Sequence, residues 1–338
     1  MRVLPPALVT WLDGLAFRLR RARIRFAHRV FALFGLTVAR RADYYSTLPL
    51  LDQLEQTRGR WDRPSRLPGV AVDAAAITAR LGELADRWED DYLSGGGDYH
   101  SNQAAGFGPG YPQFDARTLY YMLREHKPAH YFEIGSGLST YYATLAGRRN
   151  ADDDAPLKIT CVEPNPFPAL SELDGFELIE GVVQDVPVER FEDLDVDDVL
   201  FIDSSHALKI DSDVAYLYLE VLPRLRPGVL VHIHDVPFPY NVPYPSSTWV
   251  LGERWPVYWN EAMLVQAFLA FNSAFEILVS VPLIRSADET FLIDRFPDYL
   301  PVATTGTRPR HSGCAVRRSA DGQPRPARRR GSIRTATP

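Results

Sequence analysis

From Trp11 to Leu33, apolar side chains return at Leu12, Leu15, Leu19, Ala22, Phe26, Val30 and Leu33. Steps of three and four are the spacing of one helix face. Arg18, Arg20, Arg21, Arg23, Arg25 and Arg29 break up the apolar run, so the segment predicts a basic amphipathic helix rather than a membrane span. Its charges follow the apolar part and no small-residue cleavage site is evident, which speaks against a signal peptide. Two uses stay open: peripheral contact with an anionic membrane surface, or packing on the protein's own body or a second copy.

Downstream, "DAAAITARLGELADRWEDDYL" predicts a helix with Asp73 as N-cap. The Gly-rich "SGGGDYHSNQAAGFGPGYPQF" predicts an irregular loop, and "DARTLYYMLREHK" a helix capped by Asp115. Strand patterns then fall at 130–134, 158–163, 176–181, 198–203 and 228–234, with helices near 138–147, 168–173 and 210–223 between them. Strand alternating with helix predicts an α/β fold, a doubly wound, mostly parallel sheet covered on both faces. "WNEAMLVQAFLAFNSA" adds a helix, and "FEILVSVP" and "TFLIDRF" read as a closing pair of strands. The organisation expected is a basic helix over 1–41, an accessory helical and loop region over 42–115, an α/β core over 116–297, and a disordered basic tail over 298–338, where Pro, Arg and Ser dominate.

Composition changes this picture in two places. The 338 residues are 46% hydrophobic and 24% charged, ordinary for a soluble globular chain. The two cysteines, Cys161 in an apolar run and Cys314 in the polar tail, do not make a disulfide framework, so a reducing, cytoplasmic setting is expected. Peripheral membrane association enters only through the N-terminal helix. Charge is uneven: residues 1–41 and 307–338 each carry nine Arg against one acid, so against a whole-chain charge of -6 the middle carries -22. An acidic core of that size repels a nucleic-acid backbone, and no nucleic-acid partner is expected.

The first strand of the core, "HYFEIGSGLST", ends in an acid and two glycines with Ser136 between them. In a doubly wound sheet the ligand lies beyond the carboxyl ends of the strands, and Gly135 and Gly137 let the backbone come close to it. A dinucleotide fingerprint needs a third glycine where Thr140 stands, and no P-loop Lys follows. Glu163 ends the second strand, where a carboxylate can accept both hydroxyls of a ribose. Gln184 and Asp185 follow the third strand, in reach of an adenine edge, and Asp203 ends the fourth.

"FEIGSGLST", "VEPNP", "VVQDV", "LFIDSSH" and "LPRLRPGVLVHIHDV", in this order and spacing, resemble a class I S-adenosylmethionine-dependent methyltransferase over about residues 98–297. The type is that of bacterial small-molecule enzymes related in architecture to catechol O-methyltransferase. The resemblance implies a seven-stranded sheet, Rossmann-like, with the last strand antiparallel. It implies that Glu133, Gly135, Ser136 and Gly137 flank the methionine part of S-adenosylmethionine. By the same likeness Glu163 holds the ribose, Gln184 and Asp185 lie near adenine, and Asp203 closes the cofactor set.

Methyl transfer to a hydroxyl needs alignment and removal of a proton. "DSSH" and "HIHD" end neighbouring strands, about 4.8 Å apart, and supply His206, His234 and Asp235 as catalytic candidates. His206 is the expected base, with helix capping as its other reading; His232 reads as a core histidine. Asp203 and Asp235 can share a divalent cation, as strand-tip acids do in the metal-dependent relatives, although Val236 stands where those relatives commonly have Asn. The segment after Asp235 is rich in Pro and aromatics and reads as a substrate wall, with Tyr240, Tyr244, Trp249 and Trp255 able to stack on a ring or sugar. The expected function is methyl transfer, to oxygen on a small molecule or glycan precursor. A non-catalytic scaffold tethered by its basic ends and an NAD-dependent oxidoreductase are the alternatives.

Overall fold

The computed structural model describes residues 6–38, 44–95, 98–108, 110–252, 255–301 and 314–319. The chain divides into two compact units, Met1–Arg58 and Gly59–Pro338. In the first, the predicted basic helix forms as α1 (Pro6–Ala32). No helix among the described residues is long and apolar enough to cross a membrane.

In the second unit, α2 (Ala74–Gly95) starts where the Asp73 carboxylate accepts the Ala76 N–H at 3.0 Å, the cap read from the sequence. Its buried stripe, Ile77, Leu81, Leu84, Ala85 and Tyr92, packs it on α3 (Gln113–His126). Asp115 does not cap α3. Pro112, extended at φ -74 and ψ 156, turns the chain into the helix, and Asp115 falls inside the first turn, buried.

Seven strands form one sheet: β1 (His130–Ile134), β2 (Lys158–Glu163), β3 (Glu177–Glu180), β4 (Val199–Ile202), β5 (Leu230–Ile233), β6 (Phe275–Ser280) and β7 (Cys314–Arg318). Their order is β3-β2-β1-β4-β5-β7-β6. β1 to β5 pair in parallel, and β7 runs antiparallel to both β5 and β6. Strand order reverses between β1 and β4, and the crevice beyond their carboxyl ends is the binding position such a sheet offers. α4 (Leu138–Asp152) leaves that crevice and packs on α3.

The closing strand is not where the sequence pattern puts it. "TFLIDRF" belongs to α6 (Val281–Arg295), which follows β6 after the helix α5 (Glu261–Leu269) and is kinked at Asp288. Pro282 in its first turn suits a helix start, and Leu283, Ile284 and Leu292 are buried. The seventh strand is "CAVRR", inside the segment expected to be disordered. Cys314, Ala315 and Val316 are buried between two strands that already carry the core, so three small apolar residues suffice. The rest of that expected tail, 302–313 and 320–338, lies outside the described residues.

Candidate active site

The strand tips are stitched by backbone. Gly135 N–H donates to the Val162 carbonyl, Asp203 N–H to Ile134, and His234 N–H to Ile202. Gly135 takes φ 103, and a Cβ there would lie 2.6 Å from the Asp203 carbonyl oxygen. A Cβ on Gly137 would lie 2.8 Å from the carbonyl of Phe107. Both glycines are therefore demanded by close approach, one to the β4 tip and one to the accessory loop. That loop holds a short helix, Tyr99–Ala104, and lays Phe107 on Tyr141 with ring centroids 4.9 Å apart. Phe107 thus covers the turn, which the composition of its segment alone did not indicate.

Glu133 is fully buried below the turn. Ser139 and Thr140 donate their hydroxyls to its carboxylate, Thr140 at 2.8 Å, and Gly137 N–H donates to Thr140 Oγ1 at 3.0 Å. Thr140, in the place of the third dinucleotide glycine, braces the turn. Burial outweighs these hydrogen bonds and pushes the Glu133 carboxyl up to about 7. The Oγ atoms of Ser136 and Ser204, one at each tip, are buried without a hydrogen-bond partner among the described residues. Leaving such a group unpaired costs about 1–3 kcal/mol.

Glu163 stands half-exposed at the β2 tip and accepts the Asn165 N–H at 2.7 Å. Gln184 donates to the Asp211 carbonyl at 3.0 Å, while Asp185 is exposed beside Gly181 and Val182 in a depression beyond β3.

Asp203, His206 and Asp235 converge. His206 Nε2 lies 3.2 Å from Asp203 Oδ1 and 3.7 Å from Asp235 Oδ2, and its Nδ1 lies 2.8 Å from Glu261 Oε2. His206 and Asp235 both hold left-handed backbone, φ 56 and 54, at roughly 1–2 kcal/mol each. Strain of this kind gathers at functional sites. Burial works against charge on His206, but Asp203 and Glu261 outweigh it and hold the imidazole well above its ordinary value. Burial likewise pushes Asp203 up, yet the imidazoles of His234 and His206 bring it below the usual carboxylate range. For Asp235 burial prevails, and its carboxyl is raised.

His234 lies behind the tip rather than in the mouth, 1% exposed beneath Tyr111, with its Nε2 3.5 Å from Asp235 Oδ1 and its Nδ1 3.8 Å from Asp115 Oδ2. Burial disfavours its charge, but Asp235, Asp203 and Asp115 raise it overall. His232 stacks on Phe201 at 4.4 Å, and burial depresses it to about 3, as a neutral core histidine. Tyr240 and Tyr244 stack on each other at 4.1 Å, Trp255 is exposed, and Trp249 backs Trp259, whose ring lies 4.6 Å from His206. Trp259 and Glu261 were not singled out in the sequence. An acid opening an apolar helix reads as a cap, and only the fold turns it toward His206.

One oxygen or nitrogen from each of Asp203, His206 and Asp235 lies within 4.8 Å of the others, a set that can hold a divalent ion.

Residues 132–236 match the family model described as a methyltransferase domain. Among solved structures, the chain is similar to an O-methyltransferase from Bacillus cereus in complex with S-adenosylhomocysteine, at 14% identity over 72% of this chain and 98% of that one, TM-score 0.37. It is similar also to the O-methyltransferase TomG from Streptomyces achromogenes, involved in tomaymycin synthesis, at 16% identity over 74% and 92%, TM-score 0.36. At TM-scores below 0.5 neither likeness bears on the chemistry of this chain. A search of curated proteins finds no significant match.

Proposed function

Since the chain belongs to the class I S-adenosylmethionine-dependent methyltransferases, we propose that it methylates an oxygen of a small-molecule or glycan-type acceptor, with His206 as the proton acceptor. The observation that carries this reading is the contact between the two tips. With only 2.6 Å between a Gly135 Cβ and the Asp203 carbonyl, the turn that receives the methyl donor and the acid–histidine cluster share one floor. S-adenosylmethionine supplies the electrophilic methyl. Ser136 and the backbone at Gly135 and Gly137 meet its methionine part, Glu163 its ribose, and Gln184 and Asp185 the adenine side. His206 keeps Glu261 on Nδ1 and presents Nε2 to the acceptor hydroxyl, and Trp259 holds the ring in place.

The Asp203 and Glu261 carboxylates beside His206 favour its charged form, which works against its taking a proton from the acceptor. A divalent cation on Asp203 and Asp235 would supply positive charge at that point and polarise the acceptor oxygen. The two carboxylates that converge beside His206 favour this as a second component of the same reading.

Turnover measured with labelled S-adenosylmethionine and pooled cell-extract metabolites tests both components. His206→Ala is expected to lower it by roughly 10²–10⁴ with cofactor affinity retained. Chelator is expected to lower it too, with recovery on adding Mn²⁺. Full turnover in His206→Ala removes the base. Indifference to chelator removes the cation. Cofactor binding without methylation of any acceptor favours the scaffold alternative.

A further inference from the structure

His206 is held from behind by a residue far along the chain. Glu261, the first residue of α5, places Oε2 2.8 Å from His206 Nδ1, and Tyr218 donates its hydroxyl to the other oxygen at 3.0 Å. Glu261 is 2% exposed, so water does not dilute the pairing. The backbone closes the same junction. Asn260 N–H and Glu261 N–H both donate to the His206 carbonyl, at 3.0 and 3.2 Å, and Leu208 N–H donates to Asn260 Oδ1 at 2.6 Å. An acid serving only to cap α5 would face the N–H groups of its own first turn. Glu261 turns inward instead.

An ionised carboxylate only accepts hydrogen bonds, so a buried one opposite Nδ1 selects the ring that carries its proton there. We infer that Glu261 is a positioning residue for methyl transfer: it keeps a proton on Nδ1 of His206, so that Nε2 is the nitrogen left to take the acceptor's proton. The inference rests on the function proposed above. In the step it serves, the acceptor O–H gives its proton to Nε2. The oxygen's electron pair forms the bond to the methyl carbon, and the breaking C–S bond returns its pair to sulfur. Glu261 keeps its contact with Nδ1 throughout and faces the imidazolium that forms.

Nitrogen-proton NMR of the histidine rings in the whole protein, saturated with S-adenosylhomocysteine, reads the arrangement without an acceptor. The His206 signals are assigned by their loss in His206→Ala. A proton is expected on Nδ1, far downfield and slow to exchange, and Tyr218→Phe should keep it. Glu261→Gln should move that resonance upfield and cut methyl incorporation from labelled S-adenosylmethionine into pooled extract by roughly 10²–10⁴. Its affinity for S-adenosylhomocysteine should stay within about twofold, because a neutral isostere leaves the cofactor crevice untouched. An Nδ1 without a proton in the intact protein overturns this inference alone, even where Glu261→Gln fails to fold. So does a Glu261→Gln protein that loses melting temperature but keeps incorporation per folded molecule, since that describes packing only. Failure of the intact protein to bind S-adenosylhomocysteine overturns the proposed function, and this inference with it.

Discussion

Glu133 shows how a buried acid can hold a turn from below. Both its carboxylate oxygens are taken by hydroxyls at the start of α4, so it braces the glycine turn. Burial raises its carboxyl from the ordinary 4.5 to about 7. Between those values the folded protein holds a proton that the unfolded chain releases. The stability it contributes is therefore complete below about pH 4.5 and lost as pH rises through 7. Glu133→Gln, which cannot ionise, should gain on the parent by up to about 3 kcal/mol between pH 5 and pH 8, read from urea unfolding at each pH. Parallel pH profiles for the two proteins would show that Glu133 is ionised in the fold. At this scale the glycines, Glu163, Asp203, His206 and Asp235 were legible because each sits at a strand end, where local pattern gives position. Glu261 was not, because its meaning depends on a contact across 55 residues, and His234 could be placed at a tip but not behind it.

Among the elements, β1 to β6 follow the apolar pattern. The helix read at 168–173 forms as a 3-10 turn, and that at 210–223 as a short α-helix continued by wider and tighter turns. The error falls at the strand between β5 and β6. "TFLIDRF" has enough apolar residues for a strand, but Pro282 and the burial of Leu283, Ile284 and Leu292 commit its surroundings to helix. "CAVRR" has too few to stand out among the arginines, and gains its place from β5 and β6 on either side. Ending the chain before Cys314 should open the sheet between those strands and leave the protein insoluble or without a cooperative melt. Ending it after Ser319 should shift the melting temperature by no more than a few degrees. A cooperative melt in the shorter protein would show β7 to be dispensable. For α1, the arginine-rich composition makes contact with an anionic lipid surface the reading to test. The protein should float with anionic liposomes and be released as salt rises. Removing residues 1–41 should abolish flotation and leave cofactor affinity unchanged. Equal recovery with neutral and anionic liposomes would favour packing on protein instead.

Across the whole molecule, alternating strands and helices gave the α/β class and the likeness gave seven strands with the last antiparallel, both present in the sheet order. Parallel pairing places the acidic tips of β1, β2 and β4 along one edge, and the reversal between β1 and β4 opens the crevice there. The acceptor was not legible, and the mutual packing of Trp249, Trp259 and the other aromatics beyond β5 is dictated by no local pattern. The donor is a different matter, since every tip residue named for it lies on that one edge. Calorimetry on the intact chain with S-adenosylmethionine and S-adenosylhomocysteine tests this most directly. Both should bind, and Glu163→Ala should weaken both by tenfold or more, each ribose hydrogen bond to a charged acceptor being worth about 1.5–3 kcal/mol. An intact protein that takes up neither ligand would contradict the account.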